Sequence, residues 1–332
     1  MTTMNAILTT GYGSADVLKY GIAEKPGTTK DEILIKIHAT SVTNAHTAIR
    51  TGYPLIGRLF MGLFKPSNPI SGTDFAGEIV ATGNNVRKFK VGERVFGSTD
   101  IEGGTYAEYV TVSQHGVVLP MPENLNYAEA TAIIDGATTA YPFLTKHTQI
   151  KKGSKVLING ASGSIGTAAI QLAKHFGAEV TGVCSTSNVD MVKTLGADYV
   201  IDYTKEDFTQ GEKKYDIIFD TVGKSHFNDA QKVLTEQGTY MSPVLGLRMT
   251  FDMLRTSRSK RKKAIFAATG LMAEKAKLEN FRVIRDLLEQ EVISPVIDRM
   301  YQLPQIVEAH RYVEKGHKKG NVVINVTGEA ND

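Results

Sequence analysis

Gly160, Ala161, Ser162, Gly163, Ser164, Ile165 and Gly166 are the residues of this sequence best suited to hold a charged ligand. They follow a short apolar run, Lys155–Asn159, and lead into an apolar pattern of helical period with Ile165, Ala169, Leu172, Ala173 and Phe176 on one stripe and Gly177 as its stop. A buried strand that ends in a glycine turn and feeds a helix presents free N–H groups to an anion. Gly163 lets the backbone approach a pyrophosphate, and Gly166 lets the helix pack closely on the strand. Ala161 takes the first glycine place of the dinucleotide fingerprint, so the match rests on its strand–turn–helix context. The chemistry implied is dinucleotide binding; the alternative is a tight strand–helix turn with no ligand.

The end of the next strand, Glu179–Cys184, bears on which dinucleotide. An acid there accepts from the ribose 2′-OH of NAD. The chain instead reads Cys184, Ser185, Thr186, Ser187, Asn188, with no acid before Asp190. Hydroxyls and an amide donate to a 2′-phosphate, and Lys193 follows one helical turn later. NADPH is therefore expected over NADH. The same residues could also cap the following helix.

The elements that must position these groups can be read along the chain. Residues 1–125 have the short alternating runs of a β-rich domain, as at 32–39, 75–82, 94–97 and 106–112, with turns at 83–85, 91–92 and 103–104. Beyond residue 125 helix and strand alternate, with strands at 155–159, 179–184, 199–201, 215–220, 238–242 and 264–268. Six βα units predict a doubly wound parallel sheet. A helix at 273–290, another at 304–315 and a seventh strand at 322–326 exceed one such domain and are expected to return to the first. No repeat and no low-complexity linker interrupts this order.

The 332 residues suit two domains, and a net charge of +3 is too small to imply a nucleic-acid partner by itself. One cysteine allows no internal disulfide and fits a reducing compartment. The N-terminal residues MTTMNAILTT have neither a basic start nor a long apolar run, and no stretch is long and apolar enough to span a bilayer. A cytoplasmic location is the expectation.

Several longer segments carry a resemblance: SVTNAHTAIRTG at 41–52, PISGTDFAGEIVATGNNVRKFKVGERVFG at 69–97, GGTYAEYV at 103–110, the glycine-turn region 159–186, LGADYVIDY at 195–203, YDIIFDTVG at 215–223 and GHKKGNVVINV at 316–326. Together they resemble the medium-chain dehydrogenase/reductase superfamily, in its zinc-free quinone-oxidoreductase-like (zeta-crystallin-like) branch. The resemblance implies a GroES-like catalytic domain at 1–125 and 271–332, and a Rossmann domain at 126–270. It also implies cofactor and substrate held between them, and homodimers joined through the nucleotide domains.

It further assigns residues. Tyr53 is the first candidate to donate a hydrogen bond to a substrate oxygen. Asn44, or Thr43 one residue earlier, is the second. Thr139 is placed against nicotinamide or phosphate and Tyr203 beside the adenosine phosphate. Gly223 falls at the ligand-binding edge of the fourth strand. Asn321 stands where relatives often carry Lys.

The zinc-dependent branch needs Cys and His ligands, but the only cysteine is Cys184, so a four-cysteine site is impossible. Thr73 and Asp74 stand where that branch carries His and Glu, and His46 where many relatives carry Asp. His46 and Asp74 are two candidate ligands where three or four must converge. Local hydrogen bonding by His46, and an Asp74 accepting backbone N–H bonds in a turn, is the alternative; no metal is expected. Without a Lewis acid, quinones and α,β-unsaturated carbonyls are the acceptors that need least help, because the charge delocalises into an enolate or hydroquinone anion.

The expected function is therefore hydride transfer from NADPH to a quinone or enone. The alternatives are an alcohol dehydrogenase-like enzyme lacking zinc, and a non-catalytic NADPH-binding sensor or RNA- or partner-binding protein. The basic run 255–263, RTSRSKRKK, is read as a solvated surface segment, with an anionic substrate or membrane surface and nucleic acid as its other readings. No aromatic interleaves it, which weakens base stacking.

Overall fold

A computed structural model describes residues 2–53, 55–259 and 261–328. The chain divides into two compact units. The first comprises Met1–Asp135, Ala273–Glu289 and Pro295–Asp332; the second comprises Gly136–Met272 and Gln290–Ser294.

The first unit begins with an antiparallel pair, β1 (Thr3–Thr9) and β2 (Leu18–Glu24). Its main strands are β3 (Glu32–Val42), β4 (Asp74–Thr82), β5 (Arg94–Ser98), β6 (Tyr109–Ser113) and β7 (Val117–Pro120). Alternation sets the register: Ile33, Ile35 and Ile37 of β3 are fully buried and meet Phe75, Ile79, Val95 and Val110 in one core.

The second unit holds β8 (Lys155–Asn159), β9 (Glu179–Cys184), β10 (Tyr199–Asp202), β11 (Tyr215–Asp220), β12 (Leu234–Ser242) and β13 (Lys263–Phe266). All pair in parallel, in the order β10-β9-β8-β11-β12-β13. This is the doubly wound Rossmann order, with its reversal at β8. The chain then returns to the first unit through the helix Glu274–Glu289, β14 (Ile297–Gln302), the helix Ile306–Glu314 and β15 (Asn321–Asn325). β15 pairs antiparallel with β3, and β14 lies parallel outside it. β14 had no counterpart in the sequence reading. Only its first residues and Tyr301 are partly buried, so no alternating apolar pattern marks it.

The units divide elsewhere than at 125/126 and 270/271. The helix Tyr127–Ala132 stays with the first unit, because Ala128 and Ala132 pack on Ala39 and Val323. Residues 290–294 go with the second, where Gln171 Nε2 donates to Ser294 O at 3.0 Å and Ser294 N donates back to Gln171 Oε1 at 2.8 Å.

Candidate functional site

In a doubly wound sheet ligands bind beyond the strand C-termini, near the point where the order reverses. Here those ends carry Asn159, Cys184, Asp202, Asp220, Ser242 and Phe266. From Asn159 the chain turns through Gly160, at φ +81°, into the helix Ser164–His175. No side chain caps that helix. A Cβ added to Gly163 would meet only Gly160 O, at 3.5 Å, so the space over the turn is open. A Cβ on Gly166 would lie 2.2 Å from Gly160 O, so the helix start packs closely on the turn itself, just beyond the strand on which that packing was expected. An open backbone cradle at a helix start with no capping side chain fits a pyrophosphate.

Ala161 is fully buried, while Ser162, Gly163 and Ile165 are half-buried. The expected one-sided stripe is corrected. Thr167, Ala168, Ile170 and Gln171 are buried as well as Ala169, Leu172 and Ala173, so the helix is enclosed nearly all round and Ile165 is not part of its core face.

The residues after β9 do not cap the next helix; neither Ser185 nor Asn188 makes a capping bond. Asn188 Nδ2 instead donates to Ser162 Oγ at 3.0 Å, tying this segment to the glycine turn. Thr186 Oγ1 donates to Asp202 Oδ2 at 2.5 Å. Asp202 lies beside Cys184 in the parallel register. It also accepts from Thr204 N at 3.0 Å and Thr204 Oγ1 at 2.7 Å, and Lys205 Nζ stands 3.2 Å away. The Thr186 and Thr204 hydrogen bonds hold its carboxyl well below the usual range. Two consequences follow. The neighbouring strand brings a carboxylate to an edge that reads as acid-free along 184–188. Thr186, whose hydroxyl hydrogen is engaged by Asp202, can only accept from a further partner.

Tyr203 is 54% exposed, and its N–H donates to Cys184 O at 3.0 Å.

At the end of β11, Asp220 is fully buried and organises the turn that follows. It accepts from Val222 N at 3.1 Å, Gly223 N at 3.0 Å, Ser225 N at 2.9 Å and Tyr240 Oη at 2.9 Å, and Asn159 Nδ2 reaches it at 3.0 Å. Gly223 sits at φ +72°, and a Cβ there would lie 2.7 Å from Val244. Asp220 lies inside the YDIIFDTVG segment at 215–223, where nothing in the sequence marks it as the residue that organises the turn. Thr139 is buried, with its Oγ1 3.5 Å from Thr269 Oγ1.

The first unit carries a different constellation. Thr43 is the buried N-cap of the helix Asn44–Thr51: its Oγ1 accepts from His46 N at 3.3 Å, and its own N–H points at His46 Nδ1 at 3.4 Å. Asn44, one residue on, is exposed. His46 Nε2 is 2.7 Å from Thr73 Oγ1, and Nδ1 is 3.0 Å from Tyr106 Oη, which also lies 3.1 Å from His310 Nε2. Thr73 Oγ1 donates to Asp74 Oδ1 at 3.1 Å and Ser41 Oγ to Oδ2 at 2.7 Å. Burial lowers the His46 imidazole to about 4 and raises the Asp74 carboxyl to about 6.

His46 is hydrogen-bonded as expected, but only its Thr43 partner is local; Thr73 and Tyr106 lie 27 and 60 residues away along the chain. Asp74 differs from the expectation: it opens strand β4 and accepts from hydroxyls rather than from backbone N–H groups in a turn. Both ring nitrogens and both carboxyl oxygens are engaged, and among the described residues no three His, Cys, Asp or Glu converge as metal ligands.

Tyr53 is 71% exposed and follows the left-handed Gly52 that ends the helix Asn44–Thr51. Asn321 is buried in the first unit, where both its N and its Nδ2 donate to Val296 O, at 2.8 and 3.1 Å. The structure thus brings Ala161–Gly166, Ser185–Asn188, Tyr203 and Gly223 to one sheet edge, while Tyr53, Asn44 and Asn321 belong to the other unit.

Residues 29–123 match the family model of the alcohol dehydrogenase GroES-like domain, and residues 195–324 that of zinc-binding dehydrogenases. The 2-methylene-furan-3-one reductase of Solanum lycopersicum is 34% identical over 97% of this chain and 79% of its own length. The quinone oxidoreductase of Homo sapiens is 31% identical over 94% of both. Among solved structures, the quinone oxidoreductase from Coxiella burnetii superposes with a TM-score of 0.85 at 29% identity, covering 98% of this chain and 100% of the other. No helix among the described residues is long and apolar enough to cross a membrane.

Proposed function

The chain belongs to the medium-chain dehydrogenase/reductase superfamily, in its quinone-oxidoreductase-like branch, and on that premise we propose that it reduces quinones or α,β-unsaturated carbonyls with NADPH and without zinc. The observation that carries this reading is the open, uncapped glycine turn at the reversal point of the parallel sheet. A nicotinamide dinucleotide bound there supplies the hydride.

The chain's own residues do the rest. Gly163 and the N–H groups of the helix start take the pyrophosphate. Asn188 and Ser162 fix the turn against the end of β9. Asp220 holds Gly223 in place at the end of β11. Thr139 and Tyr203 line the cofactor, and Asn321 acts by its backbone position, since its amide serves Val296. Tyr53 and Asn44 contact the substrate.

Ser185 and the second N–H of the Asn188 amide support NADPH as donors to a 2′-phosphate. Asp202 opposes it, with Lys205 offsetting part of that charge. The expected preference is therefore modest. Absence of a zinc requirement is supported by the single cysteine and by the hydroxyl partners of His46 and Asp74.

A homodimer is part of the same reading. The helix Leu247–Thr256 buries Asp252 and Thr256 while Leu247 is 94%, Phe251 64% and Leu254 72% exposed, and β13 beside it is an edge strand. An outward apolar stripe next to an unpaired strand edge suits a second copy. A cytoplasmic location belongs to this reading as well, and cell fractionation tests it.

The test is NADPH oxidation across a panel of quinones, enones and simple ketones, with alcohols plus NADP as the reverse assay, before and after dialysis against a strong chelator. Turnover of quinones or enones that survives the chelator supports the reading. Turnover confined to alcohols, loss on chelation, or tight NADPH binding with no turnover of any acceptor overturns it.

A further inference from the structure

We propose that Asp74 is the proton source for the reduction and that Thr73 is the hydroxyl through which the proton leaves. The inference rests on the hydride-transfer reading above and supplies the acid that reading lacks. Tyr53 serves poorly in that role: at 71% exposure it competes with water for any oxyanion.

Asp74 is buried to 3% exposure, and the partners of its two oxygens are hydroxyls, not cations. A carboxylate buried without a cation is costly, and the cost is relieved by holding a proton. The charged groups around it do not cancel this. Arg50 is buried in the same unit, but its guanidinium serves Gly13 O and the Glu314 carboxylate. Asp100, which faces Asp74, raises its proton affinity and pairs with Lys277 at 2.9 Å. Asp135 acts on His46. Burial thus raises the affinity of Asp74 for a proton above that of a free carboxyl, so that the protonated form persists up to about pH 6.

The direction of the hydrogen bonds follows from His46. The Thr43 N–H points at His46 Nδ1, so that nitrogen is an acceptor and the ring carries its hydrogen on Nε2. Tyr106, between the two imidazoles, then donates to Nδ1 and accepts from His310 Nε2. His46 Nε2–H donates to Thr73 Oγ1. Thr73 is half-buried, whereas His46, Asp74 and Tyr106 are buried, so Thr73 is the residue of these four with surface exposed to solvent.

With Asp74 protonated, its O–H donates to Thr73 Oγ1, which also accepts from His46, and the Thr73 hydrogen is free to point outward. Hydride addition leaves one negative charge on the acceptor. The Thr73 proton moves to that anion and the Asp74 proton moves to Thr73 Oγ1. The products are a neutral reduced substrate and the Asp74 carboxylate, which solvent reprotonates by the same route after the product leaves. His46 stays neutral throughout and holds Thr73; it is a positioning residue.

The test uses the full chain with NADPH and an enone that the parent turns over, comparing Asp74→Asn, Thr73→Val and Thr73→Ser. Asparagine keeps the shape and the Ser41 contact but carries no transferable proton. We expect kcat to fall about 100-fold in Asp74→Asn and Thr73→Val, and to recover to within about threefold in Thr73→Ser. The dissociation constant for NADPH should not change. The parent kcat should fall as pH rises through the Asp74 titration, with a solvent isotope effect, and both features should vanish in Asp74→Asn. The parent should show the infrared carbonyl band of a buried protonated carboxyl at pH 5, lost in the same variant.

If Asp74→Asn does not fold, the Thr73→Val and Thr73→Ser pair decides. Parent-like kcat and pH profile in Thr73→Val, or in a folded Asp74→Asn, overturn the proposal while leaving the hydride-transfer reading intact. A parent that binds NADPH but turns over no quinone or enone overturns both.

Discussion

Asp202 and Asp74 are both held by serine or threonine hydroxyls, yet the two carboxyls are driven in opposite directions. Asp202 ends strand β10 at the open edge of the parallel sheet, with Thr186, Thr204 and Lys205 around it, and its proton affinity is depressed. Asp74 opens strand β4 inside the first unit, with Ser41 and Thr73 as partners, and its proton affinity is raised by burial first of all. Hydrogen bonds to the charged form are similar in kind at the two sites. What differs is the balance: at Asp202 the Thr186 and Thr204 hydrogen bonds outweigh burial, whereas at Asp74 burial outweighs the Ser41 and Thr73 hydrogen bonds, and that balance decides which carboxyl stays ionised. One unit offers fixed charge and an open cradle to a ligand; the other keeps a proton in a closed network.

The sharpest way to break this contrast is at the cradle. Gly163→Val should weaken NADPH binding more than about 100-fold with little change in melting temperature, because the added side chain enters open space where the pyrophosphate would lie. Gly166→Ala should do the reverse and cost the fold of the second unit, since its methyl would meet Gly160 O. Titration of NADPH into each variant, beside thermal melts, separates the two effects; parent-like NADPH affinity in folded Gly163→Val would remove the turn from the cofactor site.

The next effect concerns charge at the same edge. Asp202→Asn should improve the ratio of NADPH to NADH affinity by about tenfold, and Ser185→Asp should reverse the preference. Dissociation constants for both cofactors measure this, and an unchanged ratio in Asp202→Asn would place the 2′-phosphate away from Asp202.

Much of this architecture was legible in the chain. The parallel strands, the glycine turn and the long return helix follow from apolar runs and their punctuation, and each lies within a few residues of its expected position. Tertiary neighbours were not legible. Asp202 reaches Thr186 only because β10 lies beside β9, a pairing that a linear scan of 184–188 does not contain. The Tyr106 partner of His46 comes from 60 residues away along the chain, and the His310 partner of Tyr106 from 204 residues further on. Edge strand β14 escaped because its exposed polar residues carry no periodic signal. Asp220 escaped because an acid at a strand end is common, and only its buried partners reveal its role.

A third expected effect sharpens the proton comparison through stability. The folded Asp74 carboxyl titrates near 6, above an unfolded value near 3.8, so the folded state binds more protons between those values and Asp74 destabilises the fold as pH rises through that window. His46, lowered to about 4 from 6.5, works in the opposite direction over the same range. Asp74→Asn leaves only the His46 term. Its stability relative to the parent should therefore climb by about 2–3 kcal/mol from pH 4 to pH 6.5. Denaturant melts across that range check it; a parallel offset at all pH values would mean that Asp74 carries no raised affinity for a proton.

The smallest effect is expected at Tyr53. Its exposure leaves little of the gain that a dry oxyanion contact would bring, so Tyr53→Phe should lower enone turnover by no more than about threefold. A loss of about 100-fold would show that the ring is drawn out of water when substrate binds.

The chain's single thiol reports on all of this from inside. Cys184 is 1% exposed at the end of β9, and burial, followed by the Asp202 charge, pushes its thiol up to about 11. It is therefore chemically silent in the native state, and an alkylating reagent can reach it only when the sheet edge opens. Its labelling rate is an internal clock for that opening. A dinucleotide seated on the turn should slow the clock in proportion to its occupancy, which makes one cysteine a gauge of cofactor binding that needs no turnover at all.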